Sequence, residues 1–205
     1  MCDHGRSMWS EIKRKLFHLT ALIYVAGIIY LPRRAYVAVL AVALLVVGGV
    51  EAARLSRPSV NAWFQRWFGG LFREEERNRP TGVLWMLGGV LLTAVVVAPT
   101  ALAATALLYL ILGDGIASVA GKGLGGPRWP GSPKRLAGSL ACLLVCLAVG
   151  ALVLRPGWGW HGIVLGAAAA TFLEWGPLPG NDNLTIPLGA GAALLLAYGI
   201  PPFIH

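Results

Sequence analysis

Charged residues are scarce in this sequence of 205 residues, since only 13% are charged and only nine are acidic. Apolar residues make up 57% even without the 27 glycines, whereas ~45–50% with glycine included is typical of soluble domains. A disordered chain and most soluble enzymes are therefore excluded. The three cysteines form no even set of pairs, which argues against a disulfide-rich secreted module. The composition predicts a polytopic integral membrane protein with an all-α fold.

Seven apolar runs predict seven transmembrane helices in a single domain that spans residues 1–205. A helix needs about 20 residues to cross a bilayer, so the shorter runs must include flanking residues. We expect the fourth run to continue through Asp114 to about residue 120. The apolar runs are residues 16–31, 35–50, 83–98, 101–112, 137–154, 163–173 and 184–200.

The basic residues lie almost entirely on one side of the seven predicted spans. Of the 17 Lys and Arg residues, all but Arg33, Arg34 and Arg155 precede span one, lie between spans two and three, or lie between spans four and five. The positive-inside rule then predicts a cytoplasmic N-terminus and an external C-terminus. The net charge of +8 is accordingly interpreted as a signal of membrane orientation, and no nucleic acid is expected as a partner.

Residues 58–79, between spans two and three, carry an apolar stripe with helical spacing. The apolar positions recur at i, i+3, i+4, i+7 and i+8, and basic residues fall on the other face. This pattern predicts an amphipathic helix lying in the cytoplasmic interface, either as a passive anchor or as a lid for a lipid substrate. The stripe consists of Val60, Trp63, Phe64, Trp67, Phe68, Leu71 and Phe72.

Four of the nine acidic residues lie at or near the ends of predicted spans. Glu51, Asp114 and Glu174 end spans that run toward the cytoplasm, and Asp182 precedes span seven. The other acids, including residues 74–76, lie on polar segments and are expected to be solvated. An acid at the bilayer centre costs ~2.5–3.5 kcal/mol, and neutralisation by a nearby cation is the simpler interpretation of Asp114. Four acids on the face that carries the basic loops predict a Mg²⁺ site with phosphate, because Mg²⁺ usually binds one or two carboxylates plus phosphate oxygens.

The cytoplasmic segment 113–139 combines glycines, cations and a hydroxyl, which favours phosphate binding. If the helix continues past Asp114, Ser118 and Lys122 share its face. Glycines let the backbone approach an anion closely, and Gly138 and Ser139 begin span five, where free N–H groups favour phosphate. Lys122 is followed by glycine, so the segment is not a P-loop. The predicted phosphate-binding residues here are Gly113, Ser118, Gly121, Lys122, Gly123, Gly125, Lys134, Arg135, Gly138 and Ser139.

A third polar cluster surrounds the turn before span seven. Pro177 and Pro179 force this turn between two apolar runs, and Asp182 and Asn183 then begin the last span. Asp182 alone is also interpretable as a helix cap. Together with Glu174, however, the cluster is more polar than one cap requires.

Four short blocks, spread from near the N-terminus to span seven, match a known pattern. They are Arg14-Lys15-Leu-Phe-His18; Gly113-Asp114-Gly-Ile-Ala-Ser118 with Gly121-Lys122 and Gly125; Lys134-Arg-Leu-Ala-Gly138-Ser139; and Glu174 with Asp182-Asn183-Leu-Thr185-Ile-Pro187. The pattern resembles the CTP-dependent lipid-alcohol kinases, the family of dolichol kinase, phytol and farnesol kinases and CTP-dependent diacylglycerol kinase. Arg135 departs from it, because serine more often follows the lysine there.

This resemblance implies an enzyme that transfers the γ-phosphoryl group of CTP to the hydroxyl of a membrane lipid alcohol. Polyprenol, dolichol, phytol, farnesol and diacylglycerol are the substrates it allows. The implied roles are Mg²⁺ binding by Asp114 and Asp182 with help from Asn183, charge neutralisation by Lys122, Lys134 and Arg135, and proton acceptance by Glu174 or, second, Glu51.

Two other functions share part of the same pattern. A cytidylyltransferase that forms a CDP-lipid also uses CTP, Mg²⁺ and membrane aspartates, and a non-enzymatic transporter also carries intramembrane acids along its ion path. The small size and the lack of a recognisable import signal favour a prokaryotic plasma membrane, with the active site facing the cytoplasm.

Overall fold

The computed structural model of the protein describes residues 16, 18–71, 74–154, 157–176 and 180–200. Within these residues the fold is helical, and strand-like pairing is limited to an isolated bridge between Arg128 and Arg135. The all-α prediction is confirmed. The helices are α1 (Leu22–Tyr30), α2 (Arg33–Ser56), α3 (Pro58–Phe68), α4 (Gly82–Val96), α5 (Thr100–Leu124), α6 (Leu136–Leu154), α7 (Trp160–Trp175) and α8 (Asp182–Ala197). Several residues named above, Arg14, Lys15, Phe17, Phe72, Arg155, Pro177 and Pro179, lie outside the described residues.

Three helices of the described chain, α2, α5 and α6, are long and apolar enough to cross a membrane. Helices α4 and α8 are also apolar but shorter than 18 residues. Each of the seven apolar runs contains a helix, so the predicted elements occur where expected. Seven as the number of membrane crossings stays a prediction, because helix length and composition support three.

Helix α5 is the centre of the fold. In α5, 67% of the most apolar stretch is buried, compared with 17% in α2 and 33% in α6. On one side, Leu107 and Ile111 pack with α1, α2 and α4. On the other side, Tyr109 and Leu110 pack with α6, α7 and α8. The two groups of helices therefore pack on opposite sides of α5.

Helix α5 changes its winding shortly before its polar end. The segment Tyr109–Asp114 is π-helical, and Gly115–Leu124 returns to α-helix. Such segments are rare within α-helices and frequent at functional sites. The helix continues to Leu124, which confirms the prediction that the fourth apolar run continues as helix past Asp114.

Small residues allow α5 and α6 to pack closely. A Cβ atom on Gly113 would lie 2.7 Å from Sγ of Cys146 and 3.2 Å from Sγ of Cys142. A Cβ atom on Gly138 would lie 2.6 Å from the carbonyl oxygen of Ala117. Side chains larger than glycine would push the helices apart, so these contacts set the distance between the two walls of the site described below.

The amphipathic helix is shorter than predicted. Helix α3 ends at Phe68, and the chain continues as two 3₁₀ turns, Gly69–Leu71 and Glu74–Asn78. The prediction of one helix over residues 58–79 is therefore wrong in its second half. Two adjacent glycines follow Phe68, and glycine disfavours helix because it loses the most backbone entropy on ordering. The apolar face exists on the shorter helix, where Trp63 and Trp67 are 59% and 69% exposed.

Hydrogen bonds at both ends align α2 with α4. Arg33 at the start of α2 donates to the carbonyl oxygens of Val95 and Ala98 at the end of α4. At the opposite end, Glu51 accepts hydrogen bonds from Thr81. We call this second end, comprising residues 51–71, 74–82, 113–139, 174–176 and 180–183, the polar end of the molecule.

Candidate functional site

A lysine and two carboxylates meet at the polar end. Nζ of Lys134 lies 2.8 Å from Oδ2 of Asp182 and 3.2 Å from Oε1 of Glu174, and it also donates to the backbone oxygen of Glu174. Lys134 lies in the loop between α5 and α6, Glu174 in the last turn of α7 and Asp182 at the start of α8. One ammonium group thus joins three chain segments that the sequence separates by up to 48 residues.

The charge of Lys134 is stabilised by its surroundings. Burial lowers the pKa of Lys134, but the carboxylates of Asp182 and Glu174 raise it by more, with a further contribution from Asp114, so the pKa lies above its ordinary value. Lys134 is therefore positively charged at neutral pH. The negative charge of Asp114, which is only 7% exposed, is the smallest of the causes that raise the pKa of Lys134.

Glu174 has a partner at each carboxylate oxygen. Oε1 faces Lys134, and Oε2 accepts a hydrogen bond of 3.3 Å from Oγ of Ser139. Nε1 of Trp129 in turn donates to Oγ of Ser139 at 3.1 Å, and the ring of Trp129 packs on Trp175 with centroids 4.4 Å apart. The Ser139 hydroxyl is thereby directed at Glu174, whose carboxylate has a defined orientation.

An open cavity of about 330 Å³ lies beside this cluster. Helix α5 provides one wall, the loop and the start of α6 provide the second, and the end of α7 and the start of α8 also line the cavity. The volume is at the small end of the range for ligand sites, roughly 300–1,000 Å³. The predicted site residues that line it are Ser118, Gly121, Lys122, Lys134, Arg135, Gly138, Glu174 and Asp182.

The glycines of segment 113–139 serve packing and turn formation. Gly121 and Gly138 face each other across the α5–α6 contact, where a Cβ on Gly121 would lie 3.6 Å from Cα of Gly138. Gly125 and Gly126 have φ angles of +69° and +87°, a conformation that glycine adopts readily, and they turn the chain after α5. Only open space lies within 4 Å of a Cβ on Gly123. Among the predicted glycines, Gly121 and Gly138 are therefore the ones that shape the cavity.

The backbone N–H groups at the start of α6 are already engaged. Those of Gly138 and Ser139 donate to the carbonyl oxygen of Arg135 at 3.0 and 3.2 Å. The prediction that these N–H groups are free for phosphate is wrong, because the first turn of the helix closes on Arg135. The side chain of Arg135 donates to the carbonyl oxygen of Gly126 at 2.8 Å and thereby fixes the loop.

Glu51 lies outside the cavity wall. Its carboxylate is 4% exposed, lies 2.7 Å from Nη2 of Arg54 and accepts a hydrogen bond from Oγ1 of Thr81 at 2.9 Å. These contacts attach α2 to the start of α4. Of the two predicted proton acceptors, Glu174 lines the cavity and Glu51 does not, so the second assignment does not fit the cavity.

Three adjacent polar residues at the start of α8 have different roles. Asn181 is the N-cap, because its side chain accepts from the backbone N–H of Asn183 at 3.1 Å. Nδ2 of Asn183 donates to the carbonyl oxygen of Gly82 at 3.0 Å, which attaches α8 to α4. Asn183 is thus next to the cavity wall but not part of it, and the carboxylate of Asp182 is directed at Lys134.

Two residues at the polar end were not anticipated from the sequence. Arg54 is 1% exposed and donates to the carbonyl oxygens of Glu76, Arg77 and Arg79, although it resembled one more loop cation. Glu75 lines the cavity, although a run of three glutamates is typical of a solvated segment. Arg54 follows Glu51 by three residues, and this spacing could have predicted the ion pair. No feature of the sequence predicted that Glu75 lines the cavity.

The carboxylates of the site are suited to bind Mg²⁺ only when the ion is already bound to phosphate. No group of three or more His, Cys, Asp or Glu side chains converges on a metal position within the described ranges. Mg²⁺ bound to a nucleotide needs only one or two protein carboxylates, because phosphates and waters supply the other oxygens. Asp182, with 34% of its side chain exposed, lines the cavity, whereas Asp114 is 7% exposed and is not among the lining residues. Both supply the hard oxygen donors that this chemistry needs.

Comparison with known proteins shows one bacterial relative. The chain is 28% identical to an uncharacterized protein of Rickettsia prowazekii (strain Madrid E) over 186 residues, which cover 87% of this chain and 90% of that protein. No family model and no solved structure matches the chain. The similarity to the bacterial protein extends over nearly the full length of both chains.

Proposed function

We propose that this protein is a membrane kinase that phosphorylates a lipid alcohol with CTP as the phosphoryl donor. The supporting observation is the Lys134 ammonium group held between Asp182 and Glu174 at the wall of a cavity that also contains Lys122 and Arg135. Phosphoryl transfer depends mainly on positioning and on neutralisation of charge. Cations and carboxylates at a membrane face supply both, and the choice of CTP rests on the four sequence blocks.

In this proposal the cations of the cavity bind the triphosphate. Lys122 lies on the α5 wall and Lys134 and Arg135 on the loop wall, so the phosphates would lie between two sources of positive charge. Ser118, one turn before Lys122, adds a hydroxyl to the same wall. Charges placed in advance around the transferring group stabilise the transition state without reorganisation.

Glu174 is the proposed proton acceptor. The lipid hydroxyl oxygen attacks the γ-phosphorus, the bond from that phosphorus to the β–γ bridging oxygen breaks, and the hydroxyl proton passes to the Glu174 carboxylate. The products are the lipid phosphate and CDP. Ser139 and Lys134 orient the carboxylate, which a general base requires.

Asp114 and Asp182 are the proposed ligands of Mg²⁺ on the nucleotide, and the bound ion would neutralise phosphate charge. Asn183 assists indirectly in this proposal, since its hydrogen bond to Gly82 fixes the first turn of α8 and with it the neighbouring Asp182. The chain itself supplies the orientation of both carboxylates, from the end of a π-helical segment and from a capped helix start.

The membrane arrangement completes the proposal. Seven spans with a cytoplasmic N-terminus would place the polar end at the inner face of a prokaryotic plasma membrane, where CTP is available. The lipid tail would lie among the spans and its hydroxyl would reach the interface. Helix α3, with exposed Trp63 and Trp67, would lie in that interface.

Labelled CTP tests the proposed reaction directly. Purified protein in lipid vesicles is given a panel of lipid alcohols and CTP labelled at the γ or the α phosphate. Label in the lipid from the γ position alone is expected. Label from the α position would indicate a cytidylyltransferase, and no label from either position, over the whole panel, would refute the catalytic proposal.

An Asp114→Asn variant links the reaction to the site. Its lipid labelling is expected to fall at least about 100-fold because a buried charge at the nucleotide is lost. Glu74→Gln is the matched control, since Glu74 pairs with Arg77 on the surface, where its side chain is 88% exposed. Retained labelling by a folded Asp114→Asn variant would remove Asp114 from the metal ligands.

A further inference from the structure

The turn Glu74–Asn78 brings a carboxylate to the cavity from a distant part of the chain. Three successive glutamates in this turn have three different environments. Glu74 pairs with Arg77 on the surface, and Oε1 of Glu76 accepts from the backbone N–H of Gly82 at the start of α4 at 2.9 Å. Glu75 alone of the three lines the cavity.

Buried Arg54 fixes the turn that carries Glu75. Its Nη1 atom donates to the carbonyl oxygens of Glu76 and Arg77 at 3.2 and 2.9 Å, and its Nη2 atom donates to that of Arg79 at 2.7 Å. Arg54 is itself held by Glu51 at 2.7 Å. These bonds anchor the turn through its backbone directly after Glu75, so the fold places this residue beside the cavity.

The cavity wall has no excess of positive charge. Among its described residues, Lys122, Lys134 and Arg135 are positive, and Glu75, Glu174 and Asp182 are negative. Two of these carboxylates already face Lys134, and buried Asp114 adds to the negative field at that lysine. A bare triphosphate therefore meets as many negative as positive groups, whereas a bound divalent cation lowers its charge by two.

We infer that Glu75 makes the cavity selective for the divalent-cation complex of the nucleotide over the free nucleotide. This inference rests on the proposed function and adds a specificity residue to that site. The carboxylate of Glu75 repels uncomplexed phosphate and attracts the cation that accompanies it. Two of the three carboxylates on the cavity wall face Lys134 and Glu75 is the third, so removal of its charge leaves three cations against two carboxylates.

Equilibrium dialysis of labelled CTP against the full-length protein in detergent, without lipid alcohol, tests the inference by binding alone. Wild-type protein should bind CTP with Mg²⁺ and bind it far more weakly with EDTA. In Glu75→Gln the affinity for CTP in EDTA should rise about tenfold, the order expected for one nearby, partly screened charge. Glu75→Lys should raise it further, and the difference between the Mg²⁺ and EDTA conditions should shrink in both variants.

Glu74→Gln and Glu74→Lys are the matched controls, because Glu74 lies one residue away and is exposed on the surface. They change the net charge equally and should leave the ratio of affinities with Mg²⁺ and EDTA unchanged. An unchanged ratio in both Glu75 variants, or an equal change in the Glu74 variants, would overturn the inference and leave the proposed function intact. Absence of CTP binding by wild-type protein in both conditions would overturn the proposed function and the inference together.

Discussion

Nζ of Lys134 lies 2.8 Å from Oδ2 of Asp182, the first residue of α8. Both side chains are partly open, with 29% and 34% exposed, whereas Glu174 on the other side of the same ammonium group is 5% exposed. Lys134 and Glu174 thus both line the cavity, and the lysine is the more exposed of the two. An incoming phosphate can reach this lysine without disrupting the buried contact with Glu174.

Replacing Lys134 should damage both the reaction and the fold. Lys134→Met leaves two carboxylates without their cation, and we expect a loss of ~1–3 kcal/mol in unfolding free energy, less than for a fully buried pair because of solvent screening. Lipid phosphorylation should fall at least about 100-fold. Thermal unfolding in detergent and the labelled-CTP assay measure the two effects.

A double variant separates these two consequences. Lys134→Met with Asp182→Asn removes one of the two unpaired charges, so the melting temperature should recover in part while lipid phosphorylation stays absent. Recovery of phosphorylation together with stability would show that both Lys134 and Asp182 support the fold and that neither takes part in the chemistry.

The pH dependence of stability should show the raised pKa of Lys134. A group with a pKa higher in the folded than in the unfolded state stabilises the fold below the unfolded value. The advantage of wild type over Lys134→Met should therefore be constant from neutral pH up to the ordinary lysine value of 10.5. It should decline only as the pH rises through the higher pKa of the folded state. Melting temperatures of both proteins along an alkaline series measure this, and a decline that begins near neutral pH would contradict it.

Glu51 and Glu174 should respond differently to the same isosteric change. Glu174→Gln removes the proposed proton acceptor, and phosphorylation should fall about 10²–10⁴-fold with Mg²⁺ and nucleotide binding retained. Glu51→Gln weakens the contact with buried Arg54 and should lower the unfolding free energy by ~1–3 kcal/mol, with activity per folded molecule nearly unchanged. Equal losses of activity in the two variants would return Glu51 to the catalytic set.

Two glycines of the same segment should differ in their tolerance of alanine. Gly138→Ala places a Cβ 2.6 Å from the carbonyl oxygen of Ala117, and the strain should lower the unfolding free energy by ~1–3 kcal/mol. Gly123→Ala meets open space within a helix and should stabilise the protein by ~0.5–1 kcal/mol. A higher KM for CTP in Gly123→Ala, at unchanged stability, would instead indicate that the backbone there approaches phosphate.

The local sequence pattern was sufficient to predict the helices and many of the residues that line the cavity. Long apolar runs form helices because burial or a lipid environment leaves the backbone no partner but itself. Successive predicted spans run in opposite directions, so the ends of spans four and six and the start of span seven lie on the same face. Asp114, Glu174 and Asp182 were expected on one face for this reason. The spacing of Ser118 and Lys122 after Asp114 placed them on one side of α5 once the helix continued.

Contacts between distant segments decided the rest. The position of the turn that carries Glu75 depends on Arg54, whose hydrogen bonds reach carbonyl groups up to 25 residues away. Glu174 and Glu51 were the first and second candidates for the proton acceptor, and the structure then placed Glu51 against Arg54 and Glu174 against Lys134.

The one-dimensional pattern of apolar, basic and acidic residues thus specified an all-helical chain and the end of it that carries the polar cluster, because periodicity and charge asymmetry act locally. Which carboxylate faces the cavity and which glycine only packs were settled by the tertiary structure. The reason is physical: the role of an ionisable or small residue depends on the partner brought to it from elsewhere in the chain, and no local spacing encodes that partner.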